Sequence, residues 1–479
     1  MTALDDDARL HFIVIGAGHA GLACALGLRR SGHRVTVLEA STRSSELEAE
    51  GYRLPPNLLK ILEEWDLGKA VRTHSTKCDS IHVSRLDSGE YLGGYRWDDE
   101  LLRDTGGETV FIQDTDLHKI LLEATISHDV DLRTNVQVID INPEVPSITV
   151  TAKSTTTTLH ADVIIGTDAS LLDGISSCEM SQFSLATTQE ETGIEIIGTV
   201  VPRHLAASDL GLHRLCASNS ADMFIWVGDE CSVLTYPKGN RQPDIMMQTY
   251  IFSEQSPSSV SRVSEKRLTK FEPRLQRLST YSKSTIKSRR VILRHILDEW
   301  VQGKMLIIGD WAHPLPPGSL QSLALSIEDA QLLISLFSYI THRSQIATFL
   351  HAFQNIRKPR CEEIHTKEYG IIYYMSLPPG EQREYRDQAL RARRDAGLFT
   401  IGGDPTQDWR HRDTVEEKEV RDVFGYDARE EAERWWLEWG MFDDIEDEED
   451  SLSNKEKYAI RVRVEKSITQ SASNFWFLH

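Results

Sequence analysis

The chain has 479 residues, 40% hydrophobic and 26% charged, and its 53 basic against 73 acidic side chains give a formal net charge of −20. That length exceeds one ordinary core, so two or more subdomains are expected. The acidic balance excludes nucleic acid as a main partner, because phosphate binding needs a basic surface.

The N-terminal stretch MTALDDDARL is acidic and has no apolar h-region, so no secretory signal is expected. Residues 11–15 (HFIVI) read as a buried parallel strand ending in glycines. A helix is expected over about residues 20–30, stopped by Ser31-Gly32, with a second strand at 34–38 (RVTVL), which completes a β-α-β unit. Pro55 and Pro56 open a helix within residues 51–70. A further amphipathic helix is expected over 116–127, a strand over 131–138, a hairpin over 149–159 and a buried strand over 161–166 (ADVIIG). Residues 180–295 are richer in β-like segments, among them EIIGTVV, DMFIWV and IMMQTYIF, and point to a separate sheet. Residues 304–308 (KMLII) return to the parallel-strand pattern and precede a long helix over 319–339. Its apolar part, near 332–340, is too short and interrupted to cross a bilayer, so no membrane insertion is expected. Beyond residue 341 the chain reads as helical and charged, and 443–450 (DDIEDEED) is a solvated acidic run. The six cysteines, Cys24, Cys78, Cys178, Cys216, Cys231 and Cys361, form no CxxC pair. A reduced cytoplasmic protein accounts for them better than a disulfide framework or a zinc site.

Two motifs carry chemistry. Gly16-Ala17-Gly18-His19-Ala20-Gly21 fits GxGxxG between a strand and a helix. The first glycine permits the tight turn, the second admits a pyrophosphate, and the third lets helix pack on strand. Free N–H groups and the positive dipole of the helix start then face the phosphates. Glu39, 23 residues after Gly16 at the end of the second strand, can accept hydrogen bonds from a ribose. This pattern does not separate FAD from NAD. Downstream, Gly309-Asp310-Trp311-Ala312-His313-Pro314 follows KMLII and places a carboxylate at a strand end, with Pro317 ahead of the next helix. No HExxH, metal-spaced Cys/His set, Walker loop or nucleophile elbow is present, so no metal site is expected.

The segment GDWAHPLPPGSLQSLALSIEDA resembles the GDAAHP…P…QG…EDA segment of the class A flavoprotein monooxygenases, the group containing salicylate hydroxylases and their fungal relatives. Other segments resemble that family in the same order across residues 10–440. These are EGYRLPPNLLKIL with Pro55-Pro56-Asn57, LTYP with Tyr236 opening a strand, FQNIRKPRCEEI with Arg357, Pro359 and Arg360, and VFGYDA. The resemblance implies an α/β fold with a glutathione-reductase-type (Rossmann-like) FAD domain, a mixed β-sheet substrate domain and a helical C-terminal segment. The FAD-binding parts would be 10–178 and 297–345, the β-rich substrate domain 179–296, the helical segment 346–440, and the acidic tail 441–479. It also implies that Gly16, Gly18, Gly21 and Glu39 hold the ADP half of FAD, and that Asp310 meets its ribityl or pyrophosphate region. Pro317 would lie by the flavin ring, and Tyr236 is the candidate substrate contact. The implied activity is oxygenation of a small apolar or aromatic metabolite with NAD(P)H and O₂, in secondary metabolism.

The sequence departs from the family at several sites. Asp114, in Gln113-Asp114-Thr115-Asp116-Leu117, stands where an arginine meets FAD. The DGxxSxxR fingerprint reads Asp168 to Ile175, with Ala169, Leu172 and Ile175 at the glycine, serine and arginine positions. The QG pair is Gln321-Ser322, and a substrate-domain arginine is replaced by Ile197 or Gly198. Loss of that cation predicts weaker binding of a carboxylate or phenolate. Three readings stay open: a monooxygenase with compensating contacts, a redox-silent isomerase or cyclase, and a non-catalytic binding protein on the same fold. The oligomeric state is left open as well.

Overall fold

In the computed structural model the run HFIVI becomes the strand His11–Ile15, buried over its last four residues, at the heart of a six-stranded sheet. The structure describes residues 8–41, 50–97, 105, 107–167, 190–212, 215, 222–239, 244–252, 265–282, 284–293, 295–401 and 415–440. Two compact units divide the chain, Met1–Glu431 and Ala432–His479, and the description below concerns the first. The sheet runs Val301–Gln302, Met305–Ile307, Val163–Gly166, His11–Ile15, Arg34–Glu39, Asp131–Thr134, parallel throughout except at its first pair. Its central strands are continuous apolar runs because successive residues, which point to opposite faces, are buried alike.

The helix His19–Arg30 packs against Ser322–Phe337, and it does so at glycine range: a Cβ on Gly27 would stand 1.8 Å from Ile334 Cδ1. Leu22, Leu26, Leu325, Leu333 and Phe337 are all fully buried there. Each such side chain contributes about 1.5–3 kcal/mol on leaving water.

The second sheet has eight strands in the order Ser284–Leu293, Glu190–Val201, Ile245–Phe252, Cys231–Pro237, Met223–Gly228, Ser80–Arg85, Tyr91–Trp97, Thr400–Ile401. It is mixed: Met223–Gly228 runs parallel to Ser80–Arg85, and Thr400–Ile401 parallel to Tyr91–Trp97. Period-two alternation gives it two apolar faces. Leu234 and Tyr236 join Phe111, Met246 and Tyr250 on one, while Val233 joins Trp226, Met247 and Leu278 on the other.

This sheet departs from the expected boundaries. Ser80–Arg85 and Tyr91–Trp97 come from inside 10–178, and Thr400–Ile401 from inside the segment read as helical. Periodicity identifies a strand, but the sheet it joins is decided by pairing partners more than a hundred residues away. The expected strand over 131–138 is likewise two strands in two sheets, Asp131–Thr134 and Gln137–Asn142, separated by Asn135 at φ 56°. The hairpin forms from Ser147–Ala152 and Thr155–His160, with Lys153 and Ser154 both at positive φ, as a tight two-residue turn requires.

A further small sheet, Gly51–Leu54, Val110–Gln113 and Thr76–Lys77, carries the strand that leads into the helix Pro56–Glu64. The long C-terminal helix Ile346–Met375 supports the loop ahead of Ser322–Phe337. Among the described residues no helix is long and apolar enough to cross a membrane.

Candidate active site

The glycine loop follows His11–Ile15. Gly16 has φ 101° and its N–H donates to the Leu38 carbonyl at 2.8 Å, so the turn is tied to the neighbouring strand. Gly21 is required by packing: a Cβ there would lie 2.0 Å from the Gly16 carbonyl oxygen. Gly18 is the N-cap of His19–Arg30, in extended backbone, with no side chain capping the helix. The first-turn N–H groups are therefore open to an anion, the feature that fits a pyrophosphate. Glu39 is buried at the end of Arg34–Glu39. One carboxylate oxygen accepts from Ala17 N at 2.7 Å, and the other from Ser41 N and Oγ at 3.0 and 2.8 Å. Here the carboxylate also braces the loop itself, a role its spacing alone did not disclose.

Asp114 opens the helix Asp114–Ser127 and is 7% exposed. Its Oδ1 lies 3.1 Å from His19 Nε2, and Tyr52 packs edge-on to the His19 ring at 5.7 Å. The acid that replaces the expected arginine thus faces a basic side chain supplied by the glycine loop. Of the degenerate fingerprint, residues 168–175 lie outside the described residues, whereas Ile197 packs into the core and Gly198 pairs across the sheet with Gln248.

Asp310 sits on the 3₁₀ turn Gly309–Trp311, and its Oδ1 accepts from Ser322 Oγ at 2.9 Å. The serine that stands for a glycine is therefore bonded to the carboxylate expected to meet the cofactor. A cavity of about 480 Å³ opens beside them, lined by Pro314, Pro316 and Pro317 and by Tyr52, Arg53, Tyr236, Gln248 and Tyr369. That size falls within the range of small-molecule sites. Gly318, at φ 77°, gives the loop a turn that side-chain-bearing residues rarely adopt. From the helix Ile346–Met375, Glu368 accepts hydrogen bonds from Leu320 N at 3.2 Å and Gln321 N at 3.0 Å. Burial pushes its carboxyl above the ordinary range.

Tyr236 is placed differently from its expected start-of-strand position: it is the penultimate residue of Cys231–Pro237. Its hydroxyl donates to the Gly51 carbonyl at 2.9 Å, and its ring stacks on Phe111 at 5.4 Å. Burial holds its phenol well above the ordinary value of 10, so it is a poor proton donor to a base and presents its ring to the cavity. Sequence reasoning missed Arg53 and Glu368. Arg53 had one available signal: in a strand, its side chain points opposite to buried Leu54.

The remaining family-like segments meet in one buried ionic network. Arg357, wholly buried, donates to Glu328 Oε2 and Asp329 Oδ1, both at 2.8 Å, and to the Leu325 carbonyl at 3.1 Å. Asp329 Oδ2 accepts from Gly309 N at 2.9 Å and pairs with His313 Nε2 at 2.6 Å. Asn57 Nδ2 bridges Glu328 and Gln321 at 2.7 and 3.0 Å, and Arg360 donates to the carbonyls of Asp422 and Val423. His313, Asp329 and Cys361 bring three ligand-type atoms within 4.8 Å. With Asp329 already bonded to two cations and an amide, that cluster is an ion-paired core that fixes the Gly309-Asp310 turn.

Comparison with known proteins agrees with this geometry. Residues 9–367 match the family described as FAD binding domain. A FAD-dependent monooxygenase, atnJ, of an Arthrinium species is 26% identical over 81% of this chain and 90% of its own. The 3-hydroxybenzoate 6-hydroxylase of Klebsiella oxytoca is 25% identical over 81% of this chain and 94% of its own. Among solved structures, CtdE in complex with FAD and a substrate superposes with a TM-score of 0.69 at 18% identity, covering 90% of this chain and 98% of that one. A salicylate hydroxylase substrate complex gives 0.67 at 18% identity, covering 89% and 98%.

Proposed function

This chain belongs to the FAD binding domain family, and on that premise we propose that it is an FAD-dependent monooxygenase. Its substrate is a small aromatic metabolite of secondary metabolism, and NAD(P)H and O₂ are its co-substrates. The observation that carries the reading is the pairing of an uncapped helix start at Gly18 with a cavity bordered by Asp310 and Pro317. The names of the relatives, a FAD-dependent monooxygenase of a fungal Arthrinium species and a bacterial 3-hydroxybenzoate 6-hydroxylase, support it. We divide the chain into FAD-binding parts over 10–178 and 297–345, a substrate domain over 179–296 that borrows Ser80–Arg85 and Tyr91–Trp97, and a helical segment over 346–440.

The bound flavin supplies the electron acceptance and oxygen activation. The protein's residues do the rest. Gly16, Gly18 and Gly21 let the first-turn N–H groups of His19–Arg30 hold the pyrophosphate, and Glu39 braces that loop. Asp310, oriented by Ser322, would hold the ribityl or pyrophosphate part of the cofactor, and Glu368 fixes the Leu320 and Gln321 backbone of the same loop. The Pro317 and Tyr236 walls position an aromatic substrate and exclude water.

The test is oxygen labelling. Purified protein supplied with FAD, NADPH or NADH and ¹⁸O₂ should give a product carrying one labelled atom. A product of unchanged mass formed under argon without nicotinamide would replace this reading with the isomerase or cyclase alternative.

A further inference from the structure

Arg53 lies on Gly51–Leu54, outside the eight-stranded sheet, and is partly buried at the cavity wall. Its guanidinium stands 5.6 Å from the Tyr236 ring centroid, and one Nη donates to the Gly318 carbonyl. That is its one hydrogen bond among the described residues, so further donors of its fixed fork are available to a ligand. Gln248 approaches the same glycine: a Cβ on Gly318 would lie 3.1 Å from Gln248 Nε2. Gln248 is 7% exposed, and its Oε1 is buried with no hydrogen-bond partner although the side chain lines the cavity. Its cross-strand neighbour Gly198 has no side chain to satisfy it. Leaving such an acceptor unpaired costs about 1–3 kcal/mol, which a ligand O–H or N–H recovers on binding.

Resting on the monooxygenase reading above, we propose that Arg53 and Gln248 form the polar end of the substrate site. Arg53 pairs with an anionic oxygen and Gln248 accepts a hydrogen bond from a neighbouring hydroxyl. The substrate class is then an aromatic acid or acidic phenol carrying two adjacent oxygens. This reverses the weak anion binding predicted from the missing arginine of the substrate sheet, because the cation comes from a different strand. The negative groups nearby are Glu50, Asp310 and Glu368. None of the three is hydrogen-bonded to Arg53: Asp310 is bonded to Ser322 and Glu368 to two backbone amides, and although the Arg53 charge also acts on Glu368, its remaining N–H donors are left for a ligand.

The test is calorimetric titration of FAD-loaded protein with 2-hydroxybenzoate, benzoate and the neutral isostere 2-hydroxybenzamide, with the FAD Kd measured in parallel. Wild type should favour 2-hydroxybenzoate over 2-hydroxybenzamide by about tenfold or more. Arg53→Gln should remove that preference while leaving 2-hydroxybenzamide and FAD affinities within about threefold. Gln248→Leu should instead abolish the advantage of 2-hydroxybenzoate over benzoate. The proposal is overturned by wild type that binds no probe or prefers the neutral one, or by Arg53→Gln that keeps the preference. It is equally overturned by Arg53→Gln that loses FAD, which would make Arg53 a cofactor residue. Should Arg53→Gln fail to fold, Gln248→Leu decides by itself, an unchanged hydroxyl advantage sinking the idea. Protein that takes up no FAD yet binds the anion through Arg53 fails the monooxygenase reading and not this one.

Discussion

Gly21→Ala places one methyl group where the structure has no room for it. The added Cβ would start 2.0 Å from the Gly16 carbonyl oxygen, 3.1 Å from Gly16 C and 3.2 Å from Thr167 Oγ1. The obstacle is backbone, so a side-chain rotation cannot relieve it, and helix and loop must separate by about 1 Å. Overpacking of this kind costs about 1–3 kcal/mol, and a backbone obstacle belongs at the upper end. The strain divides between two measurable quantities. Where the loop relaxes in free protein and must be restored for the cofactor, it appears in binding: about 2–3 kcal/mol weakens FAD by roughly 30- to 150-fold. Where the loop stays in place, the same strain lowers the stability of the FAD-free protein. FAD titration by fluorescence quenching and urea unfolding of the FAD-free form together read both terms. If their sum is below about 0.5 kcal/mol, the close-packing account of the third glycine is wrong.

Three further outcomes follow from the charges. Arg357→Leu removes the one cation shared by buried Glu328 and Asp329, leaving Arg360 and His313 as their remaining charged partners. It should cost about 3–5 kcal/mol in urea unfolding, and a loss under about 1 would remove the network from the account of stability. Burial opposes the charge of Asp329, yet His313 and Arg357 outweigh it and hold its carboxyl at about 2, against 3.8 ordinarily. The folded value is the lower one, so the associated stability is complete above about pH 4 and falls as pH drops toward 2, by about 2 kcal/mol in all. Asp329→Asn should flatten the unfolding free energy across that window, and an unaltered slope would refute the assignment. Asp114→Asn removes a carboxylate that faces His19 at the glycine loop. It should tighten FAD by about three- to tenfold at low salt, with the gain shrinking as salt rises. Weaker binding would mean that Asp114 orients His19 for the cofactor.

Much of the nucleotide half was legible in the chain itself. HFIVI, the three glycines and RVTVLE carry strand, turn, helix and strand in under thirty residues, so local hydrogen bonding and packing decide their geometry. Asp310 was readable for the same reason, since a glycine and a carboxylate directly after an apolar strand have few arrangements available. The family-like segments around Asn57, Asp329, Arg357 and Val423 were visible as separate marks. Their joint purpose was not, because the network joins side chains up to 271 residues apart.

The cavity belonged wholly to the tertiary structure. Arg53, Tyr236, Gln248, Pro317 and Tyr369 come from five segments of the chain, and no local period records that they face one space. The sheet assignment of Ser80–Arg85 and Tyr91–Trp97 was hidden in the same way, since an alternating strand reads alike in either sheet. By itself, then, the sequence determined the dinucleotide loop, its strands and the kind of cofactor they suit, all governed by short-range sterics and backbone hydrogen bonds. Only the tertiary structure decided which charges line the cavity, because pairing and desolvation depend on neighbours that the folded chain alone brings together.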